Sequence, residues 1–188
     1  MLNKLSSGMH SISNGWTAVL TLALFAAFII WILPNQAEQA EAISGGAGSP
    51  DSSFYYSAAE LYAMAEAYGP EGRQAYIRSR FTFDVVWPLA YTLFLGTWIS
   101  WAFRKLHAAD ALWQKANLVP IFGGIFDLFE NSSASIVMAR YPITTPILDS
   151  LTAVFTMTKW VFVRGSFIVF LVGLLIGVFF WVYRRKTA

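Results

Sequence analysis

The chain has 188 residues, of which 56% are hydrophobic and only 13% are charged. Soluble domains usually carry about 25% charged residues, so this composition indicates a protein that sits in a lipid bilayer. Large apolar side chains are abundant and the net charge is only +2, which excludes a disordered chain. The lack of cysteine excludes disulfides and cysteine-based sites, and two histidines speak against a histidine-rich metal centre. Nucleic-acid binding has no support, because 13 basic residues are scattered among 11 acidic ones.

Four apolar segments are long enough to cross a membrane as helices. A helix needs about 20 apolar residues to span the roughly 30 Å hydrocarbon core. Three of the segments contain no charged residue, whereas the third in chain order is interrupted by polar side chains. The predicted fold is therefore a single all-α membrane domain with four transmembrane helices. The predicted spans cover residues 16–33, 85–103, 118–139 and 165–183.

The distribution of basic residues predicts the orientation of these spans, because Lys and Arg concentrate in cytoplasmic flanks. The basic flanking residues are Lys4, Arg104, Lys105, Lys115 and Arg184 to Lys186. We expect both termini in the cytoplasm and residues 34–82 on the outer side of the membrane. The rival interpretation is a cleavable signal peptide ending near Ala40-Glu41-Ala42. The first apolar run exceeds the usual 7 to 15 residues of such a peptide, which favours a retained anchor.

The predicted outside segment contains a short helix. Residues 44–53 are rich in Gly and Ser and are typical of a flexible link. Ser57 and Glu60 form a capping-box pattern, which predicts a helix over residues 58–68. Gly69 is expected to end this helix, and Pro70 to begin a second one that continues without interruption into the second span.

The third span carries a polar face. Asp127, Glu130 and Asn131 are spaced at i, i+3 and i+4, which places them on one side of a helix, and the small residues Gly123 and Ala134 extend that side. A carboxylate facing lipid costs about 2.5 kcal/mol or more, so this face is expected to point into the bundle. These three residues are the first candidates for a ligand site or an ion pair.

The last helix offers cations for these acids. A stripe of mostly small and polar residues runs along it: Thr152, Thr156, Lys159, Val163, Ser166, Phe170, Gly173 and Gly177. With a tight turn between the helices, we expect Lys159 to pair with Glu130 and Arg164 with Asp127. Thr145 is predicted to cap the helix, and Asp149 to complement its dipole.

The length of this last helix leaves two arrangements open. A helix from Ile147 to Tyr183 would be about 55 Å long, more than a bilayer requires. Either its first third stands outside the bilayer, which would place Lys159 at the surface and Glu130 deeper, or the helix bends near Arg164 and Gly165. The proposed ion pair depends on this choice.

The second span contains a further polar candidate. Pro88 has no N–H, so the carbonyl of Asp84 one turn earlier loses its helical donor and a kink is expected. Arg80 lies one turn before Asp84, and Tyr91 lies one turn beyond Pro88. These groups predict a polar site near the outer boundary of the membrane.

Several of these elements together resemble a pattern in small bacterial four-span membrane proteins. They are Gly69-Pro-Glu-Gly-Arg73, Asp84 before Pro88, Asp127-x-x-Glu130-Asn131, Tyr141-Pro142 and Thr156-x-x-Lys159. The resemblance covers residues 69–160, about half of the chain. It implies a bacterial cytoplasmic-membrane protein and no particular activity or cofactor.

Three functions are compatible with these features. The first is a module that binds or moves a small molecule, lipid or ion through the polar face. The second is an accessory or scaffold subunit of a membrane complex, in which the charges only lock the helices together. The third is an enzyme that uses carboxylates on a lipid-like substrate, although no catalytic residue is assigned and a non-enzymatic role is favoured. Besides lipid, the expected partners are another membrane protein or a second copy of the chain, contacted through Gly173 and Gly177.

Overall fold

The computed structural model describes residues 1–103 and 112–186, and this part of the chain contains helices and no strand. The helices are α1 (Leu2–Ile12), α2 (Gly15–Ala27), α3 (Leu33–Ser44), α4 (Ala58–Ala67), α5 (Gly69–Arg80), α6 (Phe83–Phe103), α7 (Val119–Arg140) and α8 (Leu148–Lys186). A π-helical turn, Phe28–Ile32, joins α2 to α3, and short 3-10 helices cover Pro50–Ser52 and Leu112–Leu118. The all-α prediction is confirmed. The predicted basic flank Arg104–Lys105 lies outside the described residues.

Three helical runs within the described residues are long and apolar enough to cross a membrane: Gly15–Ser44, Gly69–Phe103 and Leu148–Phe179. They are compatible with a multi-pass membrane protein. The predicted third span corresponds to α7, which has the required length but carries the polar face. The fourth crossing therefore stays a prediction.

The first long run continues beyond residue 33, where the predicted first span ends. Pro34 lies in the first turn of α3, and helical structure extends to Ser44. The π-helical turn explains this, because the N–H of Leu33 bonds to the carbonyl of Phe28 five residues back. The backbone is already rearranged before Pro34, whose missing N–H is then tolerated as at any helix start.

A short break separates α5 from α6, so the predicted uninterrupted helix is wrong at this point. Phe81 and Thr82 form a turn. The Thr82 hydroxyl donates to the carbonyl of Arg78 at 2.8 Å, and the Thr82 N–H donates to the carbonyl of Ser79 at 3.1 Å. A threonine that bonds to the preceding turn competes with the regular helical pattern, which accounts for the break.

The bundle is held together mainly by an antiparallel hairpin of α7 and α8, against which α6 packs. The predicted stripe of α8 faces inward from Thr152 to Ser166, and Thr152, Thr156 and Ser166 are fully buried, whereas Gly177 at its far end is exposed. Gly123 of α7 permits close approach, because a Cβ at this position would lie 3.0 Å from the Cγ2 of Val163. Polar side chains of both helices consequently meet in the interior.

Residues 45–68 cover one end of the bundle, here named the loop end. Tyr56, Leu61 and Ala65 are buried against Val137 and Met138 of α7. The Ser57–Glu60 capping box forms as predicted, and these hydrogen bonds from the Ser57 N–H and hydroxyl lower the pKa of Glu60. Gly69, which was expected to end this helix, follows it closely and has a left-handed conformation with φ of 62°.

The predicted flexible link within residues 44–53 is instead an ordered turn followed by a 3-10 helix. Gly45, Gly46 and Gly48 have φ values of 57°, 86° and 76°, a region that glycine adopts without strain. Tyr68 donates to the carbonyl of Gly48 at 2.6 Å, and burial raises the pKa of Tyr68 to about 12. Pro50 is buried, so the glycines bend the chain back onto the helices.

The opposite end of the bundle is closed by α1. Ser6 donates to the Oδ1 of Asn117 at 2.9 Å, and the Nδ2 of Asn117 donates to the hydroxyl of Ser100 at 2.9 Å. His10 lies between the carbonyls of Ser100 and Gln114, at 3.1 Å and 2.9 Å. These bonds attach α1 to the end of α6 and to the 3-10 helix before α7.

Candidate functional site

Six charged side chains meet inside the bundle near the loop end, and we name them the ion-pair cluster. They come from four separate parts of the chain: the 3-10 helix of the loop end, the α5–α6 region, α7 and α8. The members are Asp51, Arg80, Asp84, Asp127, Glu130 and Lys159.

Lys159 forms the centre of the cluster. Its Nζ contacts the Oε2 of Glu130 most closely, and it lies 2.7 Å from the Oδ1 of Asp51 and 3.4 Å from the Oδ1 of Asp127. The predicted pair of Lys159 and Glu130 is therefore present. Helix α8 runs unbroken through this region, and Lys159 lies level with Glu130 rather than above it.

Arg80 connects the loop end to the second long helix. Its Nη1 pairs with Asp51, and its Nε lies 3.1 Å from the Oδ2 of Asp84. Its guanidinium also lies over the ring of Tyr76, 4.4 Å from the ring centre. Arg80 and Asp84 are four positions apart, as noted in the sequence, and their side chains form an ion pair that faces into the bundle.

Helices α6 and α7 are joined by two hydrogen bonds to the polar face of α7. Tyr91 donates to the Oδ2 of Asp127 at 3.2 Å. The Nδ2 of Asn131 donates to the backbone carbonyl of Asp84 at 3.2 Å. This is the carbonyl that Pro88 deprives of its helical donor, so an amide from a neighbouring helix replaces the missing bond.

The role of Asp51 is not evident from the sequence, because its Gly- and Ser-rich surroundings are typical of a flexible link. The neighbouring Pro50 is buried, and Tyr56 is hydrogen-bonded to Thr156 at 2.9 Å, which fixes the loop end against α8. Burial raises the pKa of Tyr56, so its hydroxyl keeps its proton. The one sequence signal was an acid next to Pro50 at the start of a helical turn, a pattern that says nothing about a distant partner.

Two predicted contacts of α8 are wrong. Arg164 does not pair with Asp127 but lies over the rings of Phe54 and Trp160, at 5.2 Å and 5.3 Å from their centres. It is five residues beyond Lys159, which turns it by roughly 140° around the helix and away from the polar face. Thr145 does not cap α8, which begins at Leu148. Its N–H instead donates to the hydroxyl of Tyr62 at 2.6 Å.

The two glycines proposed as a contact between copies have different surroundings. A Cβ at Gly173 would lie 3.1 Å from the Cβ of Ala102, so Gly173 allows α8 to approach α6 within the same chain. Gly177 has no neighbouring atom within 4 Å of such a Cβ among the described residues. Close packing inside the bundle therefore accounts for Gly173.

The charges of the ion-pair cluster do not balance. Asp51, Asp84, Asp127 and Glu130 supply four carboxylates, whereas Arg80 and Lys159 supply two cations. Glu130 is only 1% exposed and Asp127 only 6% exposed. Such an excess of buried negative charge is costly unless protons or a further cation neutralise it.

Two buried oxygen atoms in this region also lack partners. The Oε1 of Glu130 and the Oδ1 of Asn131 accept no hydrogen bond within the described residues. Carboxylate oxygens of Asp51, Asp127 and Glu130 lie within 4.8 Å of one another, a spacing that can hold a cation. The ammonium of Lys159 contacts all three of these carboxylates, so the arrangement already favours positive charge at this place.

Oxygen ligands of this kind suit hard cations and ammonium groups rather than soft metals, which prefer sulfur or imidazole. The carboxylates and the tyrosine hydroxyls could also pass a proton between them, because Tyr91 is already bonded to Asp127. Comparison of the chain with protein-family models, curated proteins and solved structures gave no match.

Proposed function

We propose that this chain is a multi-pass protein of a bacterial cytoplasmic membrane, with α7 as a fourth crossing. The support is the division of α7 into two faces. Within residues 119–139 its charged residues are buried, whereas its exposed large side chains are all apolar: Phe122, Ile125, Leu128, Phe129 and Ile136. A helix with an apolar exterior and a polar interior suits a bundle surrounded by lipid.

The proposed orientation places the loop end outside the cell. Lys4 precedes α2, Arg104 and Lys105 follow α6 in the sequence, Lys115 precedes α7, and Arg184 to Lys186 are the last residues of α8. Those of them that lie within the described residues belong to the end opposite the loop end, which is therefore assigned to the cytoplasm. The ion-pair cluster then lies towards the outer side of the membrane.

We further propose that the protein binds a small cation at the ion-pair cluster, either a metal ion or the ammonium group of a small molecule. The observation that carries this proposal is the excess of carboxylates together with the unpartnered oxygens of Glu130 and Asn131. A cation would neutralise the excess charge and coordinate oxygens that otherwise remain unsatisfied. Lys159 would shift aside or share the carboxylates with it.

A structural lock is the second candidate, and the pairing of both basic side chains with acids favours it. Lys159 contacts three acids and Arg80 contacts two. Such a network can fix the register of helices without binding anything. The two functions differ in whether an added cation stabilises the protein.

The test uses the purified protein in lipid nanodiscs, with Glu130→Gln as the variant and Glu66→Gln as the control. Glu66 is an exposed glutamate of α4 and lies outside the ion-pair cluster. Thermal unfolding is followed during titration with Na⁺, K⁺, Mg²⁺, Ca²⁺, choline and spermidine, and native mass spectrometry identifies co-purified molecules.

We expect at least one cation to raise the unfolding midpoint of the wild type and of Glu66→Gln but not of Glu130→Gln. At about 100 times its Kd, a ligand adds about 2.7 kcal/mol of stability, which is easily measured. If no cation shifts the wild type, nothing co-purifies and Glu130→Gln only lowers stability, cation binding is refuted and the lock is favoured.

A further inference from the structure

A polar cavity lies beside the ion-pair cluster, between α3 and α5 at the loop end. Its volume is about 290 Å³, enough for a polar headgroup or another small ion-bearing group. Residues of α3, the loop end and α5 form its walls. They include Gln36, Gln39, Ser49, Tyr76, Arg78 and Arg80.

The lining of this cavity favours an anion. It contains two arginines, two glutamine amides and several hydroxyl groups, but no aspartate or glutamate. Asp51 and Asp84, which pair with Arg80, do not line it. The cavity is therefore rich in hydrogen-bond donors although it adjoins an acidic cluster.

Some of these donors are free to bind a ligand. Arg78 is exposed and makes no ion pair within the described residues, and the amides of Gln36 and Gln39 make no hydrogen bond there. Gln36 and Gln39 are three residues apart, so they share one face of α3. Two acids hold the Nε and Nη1 of Arg80, while its Nη2 has no ion-pair partner among the described residues.

The depth of the cavity matches the headgroup region of the outer leaflet in the orientation proposed above. Gln36 follows the start of α2 by 21 positions, which corresponds to roughly 30 Å along a helix and to the thickness of the hydrocarbon core. Arginine binds phosphate oxygens in pairs of parallel hydrogen bonds, and amides and hydroxyls complete such sites.

From these observations we propose that the cavity between α3 and α5 binds a phosphate group, as carried by an anionic phospholipid of the outer leaflet or by a soluble phosphate ester. Arg78 supplies the unpaired charge, and Gln36 and Gln39 donate from the opposite wall. This site is separate from the cation site proposed above, with Arg80 lying between them.

The experiment measures binding to the full-length protein in detergent. The probes are dioctanoyl phosphatidylglycerol, glycerol 3-phosphate and inorganic phosphate, with dioctanoylglycerol as the phosphate-free control. Native mass spectrometry counts bound molecules, and the shift of the thermal midpoint gives the apparent Kd. The variants are Arg78→Gln and Ala40→Phe, the latter of which fills the cavity from α3. The control is Arg140→Gln, which removes an exposed charge at the same end of the bundle.

We expect the wild type and Arg140→Gln to bind at least one of the three phosphate-bearing probes. Arg78→Gln should bind it at least about tenfold more weakly, the effect of losing a charged hydrogen bond, and Ala40→Phe should not bind it. Preference for phosphatidylglycerol identifies a lipid ligand, and equal binding of glycerol 3-phosphate identifies a soluble one.

The proposal is refuted if no phosphate-bearing probe binds, if dioctanoylglycerol binds equally well, or if Arg78→Gln binds as the wild type does. Glu130→Gln separates this site from the cation site, because that variant should retain phosphate binding while losing the response to cations. Failure of one proposal is thereby distinguished from failure of the other.

Discussion

Replacing Lys159 by methionine tests whether the ion-pair cluster is as strongly coupled as its geometry indicates. The Nζ of Lys159 lies 2.7 Å from a carboxylate oxygen of Asp51 and 3.4 Å from one of Asp127. At an effective dielectric constant of about 20, two opposite unit charges at these distances attract each other by about 6 and about 5 kcal/mol. Removing the ammonium from water offsets several kcal/mol of this attraction. We therefore expect Lys159→Met to lower the free energy of unfolding by about 3–5 kcal/mol, the usual cost of leaving buried charges unpaired.

The unfolding free energy can be measured by denaturant titration in mixed micelles, because the chain contains eight tryptophans whose fluorescence reports the transition. Arg164→Met is the matched control on the same helix, since Arg164 is exposed and makes no ion pair within the described residues. A double variant, Lys159→Met with Glu130→Gln, removes one charge of each sign and should recover about 1–3 kcal/mol. If Lys159→Met lowers the free energy of unfolding by about 1 kcal/mol or less, the loss equals that of a surface ion pair. That result would refute the strong coupling inferred for the ion-pair cluster.

Two further changes test other contacts between the helices. Asn131→Leu should cost about 1–3 kcal/mol in the same titration, because it leaves the freed carbonyl of α6 without a donor. Ser132→Ala, which removes an exposed hydroxyl, should change little, and equal effects of the two would contradict the role given to Asn131. Gly123→Ala should cost about 1–3 kcal/mol, since its Cβ would lie 3.0 Å from Val163. Gly165→Ala has open space and should be neutral or stabilising, so a loss there as large as at Gly123 would argue against close packing as the cause.

The local features of the fold could be predicted from the sequence because they depend on short-range spacing. The polar face of α7 follows from the i, i+3, i+4 positions of Asp127, Glu130 and Asn131. Hairpin geometry then brings Lys159 opposite Glu130, since a tight turn puts residues equally distant from it at the same level. The freed carbonyl of Asp84 follows from the chemistry of proline alone.

The contacts that were missed depend on tertiary structure. Asp51 lies 108 positions before Lys159, and its place depends on how three glycines turn the chain back over the bundle. Composition alone made that turn look like a linker, because Gly and Ser are typical of both. The continuation of the first helix beyond Pro34 depends on a π-helical turn, which has no clear sequence signal.

In the proposed four-span arrangement, the polar face of α7 has a consequence for how the chain enters the membrane during synthesis. A carboxylate at the centre of an inserting helix costs about 2.5–3.5 kcal/mol, and α7 carries Asp127 and Glu130. Their counter-charge, Lys159, belongs to α8 and leaves the ribosome later. Helix α7 is therefore expected to wait at the translocation machinery until α8 emerges, and the two should partition into lipid together as a preformed hairpin.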